Sequence, residues 1–232
     1  MTKSEKEQSI SINDDKGPDN NSIWDFWAPI FMSIALYSGI RHFVAEARYI
    51  PSGSMLPSLQ IEDRILIEKF TLARRPPERG EIVVFKSPFS FDPILNDNNS
   101  PSFLQCAIVN FPLVSFLTRL NHPACDAYIK RVVAIAGDKV VVNSFGEVLI
   151  NNSKMYEPYV SKLCIMPNSD VGSCKELMVE VPSDHVLVLG DNRQNSWDGR
   201  FWPGGAFLPE KEIIGRAVWR FWPFNRVGLL HQ

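Results

Sequence analysis

Tyr128-Ile129-Lys130-Arg131-Val132-Val133-Ala134-Ile135-Ala136-Gly137-Asp138-Lys139-Val140-Val141-Val142-Asn143 reads as a strand, a turn and a second strand. β-Branched and aromatic residues fill both apolar runs, and Gly137-Asp138 marks the turn between them. Outward from this stretch the same rhythm repeats. Asp63–Lys69, Glu81–Ser87, Glu147–Asn151, Glu176–Val181, His185–Leu189 and Arg216–Trp222 read as further strands, with Gly80 and Gly146 at turns. No helical pattern of convincing length follows Ala47, which argues against the parallel βαβ classes. The expectation is a mostly β protein over 46–232: an antiparallel β-sheet core with a smaller inserted lobe at 153–183. A long insertion at 88–126 interrupts it, polar at Asn96-Asp97-Asn98-Asn99-Ser100 and apolar at Phe103–Leu117.

A chain of 232 residues can bury one good-sized core, or a core with an appended lobe. A net charge of −2 gives no sign of a nucleic-acid partner. Residues 1–22 are polar and mixed in charge, as expected of a disordered tail. An apolar segment follows, reading Trp24-Asp25-Phe26-Trp27-Ala28-Pro29 and then Ile30 to Ile40. The uncharged part is short for a span, which takes about 17–25 residues. It reaches that length through Val44 if Arg41 snorkels towards headgroups. Trp24 and Trp27 stand where an interfacial aromatic belt would be. Residues 23–45 are therefore expected to form one N-terminal transmembrane helix, with a buried or interfacial helix as the alternative. A cleaved export signal is disfavoured, because no basic region precedes the run. Basic residues on its two sides do not decide its orientation. A second span within 103–117 fails on length, and on Asn110 and Pro112.

The cysteines are Cys106, Cys125, Cys164 and Cys174, with no C-x-x-C pair to suggest zinc. Pairing Cys164 with Cys174 and Cys106 with Cys125 would suit an oxidising compartment; four free buried thiols is the alternative.

Two further stretches carry chemistry. Ile50-Pro51-Ser52-Gly53-Ser54-Met55-Leu56-Pro57 is a stiff small-residue turn offering Ser54 as a nucleophile. Gly190-Asp191-Asn192-Arg193-Gln194-Asn195-Ser196-Trp197-Asp198-Gly199-Arg200 is a polar loop. A serine hydroxyl needs a base to take its proton. His42 lies at the edge of the apolar segment, His122 before a proline, His231 next to the end and His185 at a strand start, so a Ser-His-Asp triad is poorly supported. Lys130 is the amine on an apolar strand, and burial there would keep it neutral. Taken singly, Lys130 could be an exposed strand lysine and the Ser54 stretch a plain linker. Ser52 and the Ser54 amide are spaced to hold an oxyanion together.

Read together, these stretches resemble the type I signal peptidases, the S26 peptidases. The nucleophile motif is similar to Ile50–Pro57, the next strand motif to Arg79-Gly80-Glu81-Ile82-Val83-Val84-Phe85-Lys86, the lysine motif to Tyr128–Asp138, and the last motif to Gly190–Arg200, in the family's order. The resemblance implies Ser54 as nucleophile and Lys130 as neutral general base. It implies that Ser52 completes the oxyanion hole, that Ser196 hydrogen-bonds the Lys130 amine, and that Asp198 and Arg200 form a supporting ion pair. Ile50, Pro51, Met55, Leu59, Tyr128 and Ile129 would line pockets for small residues before the cleavage site. Gly199 departs from the family's usual Ser. The long stretch Phe201–Pro209 and the ending Val218–Gly228 resemble the cyanobacterial and plastid branch.

The implied activity is serine endopeptidase cleavage of signal peptides from exported preproteins at small-x-small sites, with no metal or cofactor. The implied partners are preproteins, the lipid bilayer and a neighbouring secretion translocase. The implied location is a plasma or thylakoid membrane, with the catalytic domain on the extracytoplasmic side. Two rivals stand beside it. A self-cleaving Ser-Lys protease of the SOS-repressor type would need a DNA-binding module where this chain has a tail and an apolar segment. A non-catalytic membrane-tethered β module leaves the Ser-Lys-Ser pattern unexplained.

Overall fold

A computed structural model describes residues 21–72, 74–95, 126–161, 163–164 and 174–230. The expected tail falls outside them as far as residue 20, and the long insertion from 96 to 125, with Cys106 and Cys125. The chain divides between Arg41 and His42 into two compact units.

The first unit holds most of helix α1, Asn21–Phe43. Its length agrees with the expected anchor, and Trp24, Phe31, Met32, Ile34 and Leu36 are exposed. Pro29 lies inside it, and the Ser33 hydroxyl donates to the Pro29 carbonyl at 2.7 Å. No helix among the described residues is long and apolar enough to cross a membrane. Asp25, Pro29, Ser33, Tyr37, Ser38 and Gly39 dilute the apolar run. The reading of 23–45 as a span thus meets the helix but not the required apolar length.

The second unit is built from two antiparallel sheets. The larger contains β1 (Ala45–Tyr49), β2 (Arg64–Glu68), β3 (Ile82–Lys86), β4 (Ala127–Ala134), β9 (His185–Leu189), β10 (Phe207–Pro209), β11 (Ile213–Trp222) and β12 (Gly228–Leu229). Its order is β1-β2-β11-β3-β4-β9-β10, with β12 added to β11. The smaller contains β5 (Lys139–Val142), β6 (Val148–Ile150), β7 (Ser153–Lys154) and β8 (Leu177–Glu180), in the order β7-β6-β5-β8.

Period-two alternation explains why β3 and β4 are apolar almost throughout. Ile82, Val84 and Ile129 pack with Ile50, Met55, Leu59, Ile65 and Ile67 in one cluster. Val83, Phe85 and Val132 pack with Val186, Val188 and Leu208 in another. Both faces of the central strands are covered, so apolar residues fill most of both faces, and the exceptions Lys130 and Arg131 are buried against specific partners. The smaller sheet starts at Lys139, and its Val140, Val142 and Val148 pack with Val133, Leu187 and Leu189 of the larger. Strand periodicity reports which residues are buried, not which sheet buries them.

Candidate active site

Lys130 lies mid-strand in β4, opposite Val83 of β3. It shares a strand face with Tyr128 and Val132, so its stem runs along apolar surface. Ser54 lies on the turn that leaves β1. Hydrogen bonds from Ile50 N to Asp63 O and from Glu62 N to Ile50 O, each 2.9 Å, close that loop at its base. Ile50, Met55 and Leu59 are core residues, so the flanks of the turn are plugged into the molecule and Ser54 is held at the wall of the cleft. Residues 76 apart in sequence thereby meet: Lys130 Nζ donates to Ser54 Oγ at 2.8 Å and to the Ile129 carbonyl at 3.0 Å. Both are buried, Ser54 at 8% and Lys130 at 4% exposure. Ser52 Oγ is 3.5 Å from Ser54 Oγ.

Burial pushes the Lys130 ammonium down to about 8. The Asp198 and Asp191 carboxylates pull it partway back up, and the Arg200 guanidinium presses it down again. Desolvation wins because each nearby carboxylate is already engaged by an arginine. Arg131 grips Asp191 through two nitrogens, Nε at 2.9 Å and Nη2 at 2.7 Å. Arg200 grips Asp198 likewise, Nε at 2.8 Å and Nη2 at 2.9 Å.

The loop 190–200 closes the site from the side of β9. Asp198 also accepts from Gly190 N at 2.9 Å, which pins the start of the loop to its end. Arg200 donates to the Arg193 carbonyl at 2.9 Å, and Arg193 to the Gly190 carbonyl at 3.1 Å. Arg193 also pairs with Glu157 of the lobe. Cys164 and Cys174 are disulfide-bonded beneath this loop, and Arg200 Nη1 lies 2.8 Å from Cys174 Sγ. The pairing within the lobe is one of the two states left open by the sequence.

Gly190 is needed for close approach. A Cβ there would stand 2.2 Å from Ser196 Oγ and 2.5 Å from the Ser54 carbonyl oxygen. Gly199, where the family usually has Ser, has the same explanation: its Cβ would stand 2.4 Å from the Ala206 carbonyl oxygen. The long stretch after it folds back to occupy that space.

A cleft of about 620 Å³ opens over the Ser54–Lys130 pair. Tyr49, Ile50, Pro51 and Ser52 line one side, and Ala127, Tyr128 and Ile129 the other. Two site expectations are corrected. Met55 and Leu59 do not line the cleft; both are fully buried in the core below it, where they anchor the turn. Among the described residues Ser196 makes no hydrogen bond to the Lys130 amine: its buried hydroxyl has no partner there and packs against Gly190. Asn192 was not singled out by the sequence. Its backbone N–H donates to the Ser54 carbonyl and its side chain to the Gly53 carbonyl, both at 3.1 Å. Trp197 was also missed, and it lines the cleft beside Tyr128 with ring centroids 6.0 Å apart. The polar loop signalled that some of its side chains would meet Ser54, but loop spacing has no period to say which.

A family model described as "Signal peptidase, peptidase S26" matches residues 23–222. The signal peptidase I of Leptolyngbya laminosa is 41% identical over 201 residues, covering 87% of this chain and 80% of its own. The probable signal peptidase I-2 of Synechocystis sp. is 39% identical over 215 residues, covering 93% and 80%. The probable thylakoidal processing peptidase 2 of Arabidopsis thaliana chloroplasts is 36% identical over 203 residues, covering 87% of this chain and 45% of its own.

Proposed function

The chain belongs to the signal peptidase family, peptidase S26, and we propose that it is a membrane-bound serine endopeptidase that removes N-terminal signal peptides from exported preproteins after small residues, with Ser54 and Lys130 as its dyad. The observation that carries this reading is the 2.8 Å contact between Lys130 Nζ and Ser54 Oγ, with the amine held at about 8 by burial.

The chemistry follows from that pair. A neutral Lys130 amine accepts the Ser54 O–H proton as Oγ attacks the scissile carbonyl carbon. The resulting oxyanion faces the Ser54 N–H and the Ser52 hydroxyl. Collapse breaks the C–N bond, and the Lys130 ammonium returns its proton to the leaving amine. The acyl-enzyme ester is then hydrolysed by a water that gives its proton to the same amine, restoring Ser54. Ser196 is buried against Gly190 in the loop beside the pair. The Asp198–Arg200 pair supports the loop that carries it. Ile50, Pro51, Tyr128 and Ile129 form an apolar wall, which suits short side chains on an extended preprotein segment.

Two exposed apolar surfaces support a bilayer as partner. One is α1, whose large side chains are exposed along its length. The other is the β11–β12 end of the larger sheet, where Trp219, Trp222, Phe224 and Leu229 are exposed. Tyr49 pairs with Arg64, and Arg64 with Trp222, so one cross-strand row joins this patch to the cleft rim. We assign the enzyme to a plasma or thylakoid membrane, anchored by α1 beside the secretion translocase, with the β unit on the extracytoplasmic side.

The test is direct. Detergent-solubilised protein is mixed with a preprotein, and wild type is compared with Ser54→Ala. Wild type yields the shortened mature product; Ser54→Ala yields none. Equal cleavage by both would overturn the reading.

A further inference from the structure

We infer that Asn192 is a positioning residue for transition-state binding: it locks the two peptide planes on either side of Ser54 so that the Ser54 N–H faces the scissile carbonyl. This rests on the reading of Ser54 as the nucleophile. In a trans peptide the C=O and the N–H point in opposite directions across one plane. Whatever holds the Gly53 oxygen therefore aims the Ser54 N–H. The Gly53 oxygen accepts from Asn192 Nδ2 at 3.1 Å and from Leu56 N at 3.2 Å.

The Leu56 bond closes a four-residue turn, Gly53 to Leu56, but such a bond tolerates either orientation of the turn's central peptide. That central peptide is Ser54–Met55. Its carbonyl oxygen accepts the Asn192 backbone N–H at 3.1 Å, which selects one orientation. A single residue thus holds the peptide before Ser54 with its side chain and the peptide after it with its backbone. Among the described residues the Ser54 N–H itself donates to no acceptor, as a donor reserved for substrate would.

Asn192 is 8% exposed, and its Oδ1 is buried without a partner among the described residues. Turning the amide over would place that oxygen against the Gly53 oxygen, so the Nδ2 contact dictates the orientation. An unpartnered buried oxygen works against stability. Its retention indicates a side chain selected for the position of its donor.

The experiment uses the full chain in detergent and a preprotein substrate, with Asn192→Leu as the main variant. Leucine keeps the branched shape and removes both the donor and the unpartnered oxygen. The expected result is a kcat lower by about tenfold to a hundredfold, less than the roughly 10²–10³ for losing an oxyanion donor outright, because the donor stays and only its aim is loosened. KM and the midpoint of the pH–rate profile should stay at wild-type values, because the Lys130 side is untouched, and the melting temperature at or above its wild-type value. Asn192→Ala, which is smaller, provides the same comparison if leucine does not fit. A kcat within twofold of wild type would overturn the inference. So would a loss that falls on KM, or one that comes with a lowered melting temperature and a moved pH midpoint. Ser54→Ala run alongside separates the two levels: if it still cleaves, the nucleophile is misassigned; if it is dead while Asn192→Leu is fully active, only the role of Asn192 falls.

Discussion

Burial lowers the Lys130 ammonium from 10.5 to about 8, so its linkage to folding has a definite sign. Between those values the unfolded chain holds a proton that the folded chain has released, and stability rises with pH. Below about 8 the folded protein carries a desolvated ammonium, at a cost of roughly a few kcal/mol. Lys130→Met should therefore be inactive yet more stable than wild type at pH 6–7, with the difference shrinking towards pH 10.5. Urea unfolding at several pH values checks this; a variant less stable at pH 6 contradicts it. Activity should follow the same group in the same direction, rising with pH through about 8 as the amine becomes neutral. A profile governed near 6.5, the histidine value, would remove Lys130 from the mechanism. Ser54→Ala and Lys130→Met each delete a partner in one proton transfer, so the double variant should lose no more than either alone.

Between residue and fold stands the loop 190–200, which is made rigid by close contact and by charge. Gly190→Ala would drive a methyl group to within 2.2 Å of Ser196 Oγ and 2.5 Å of the Ser54 carbonyl. The loop must then withdraw from the nucleophile turn. Cleavage should fall about a hundredfold or more, since a displacement of about 1 Å costs this much, while the far-ultraviolet circular dichroism stays that of the β fold. Full activity would show that the loop tolerates the methyl group. Asp198→Ala acts differently. It leaves Arg200 buried without its carboxylate, and breaking such a pair costs about 3–5 kcal/mol. Its urea midpoint should drop clearly, and activity should fall with it.

For the whole molecule the open variable is the bilayer. The exposed Trp222 is joined to the cleft-rim Tyr49 by one strand row through Arg64, and the exposed Phe224 packs on Trp222. Trp222→Ser with Phe224→Ser in the full chain should slow processing of a preprotein in lipid vesicles by about threefold to tenfold, if each aromatic contributes the usual 1.5–3 kcal/mol only in part. Cleavage of a short soluble peptide should be unaffected. An equal loss on both substrates would mean that the aromatics support the fold and not membrane contact. Topology is checked in spheroplasts, where added protease should digest the unit that follows α1. Complete protection would reverse the orientation.

Much of the fold was legible without coordinates. β3, β4 and β9 are mostly buried strands, and most of their residues had to be apolar because both faces are covered; β2 and β11 are partly buried and mix apolar with charged residues. β1, β10 and β12 were not legible: Ala-Glu-Ala-Arg-Tyr and the two shorter strands carry no period. They are strands only because a neighbour offers them hydrogen bonds. Ser54 and Lys130 could be picked out by motif, since a turn and an apolar strand each constrain the local chain. That Met55 and Leu59 anchor the turn from below, that Gly199 has no room for a side chain, and that Asn192 reaches the Gly53 carbonyl were decided only by tertiary structure. Local sequence governs backbone conformation over a few residues. Which side chain turns inward, and which carbonyl it meets, depends on packing between segments whose meeting no local pattern encodes, as with Asn192 and Gly53, 139 residues apart.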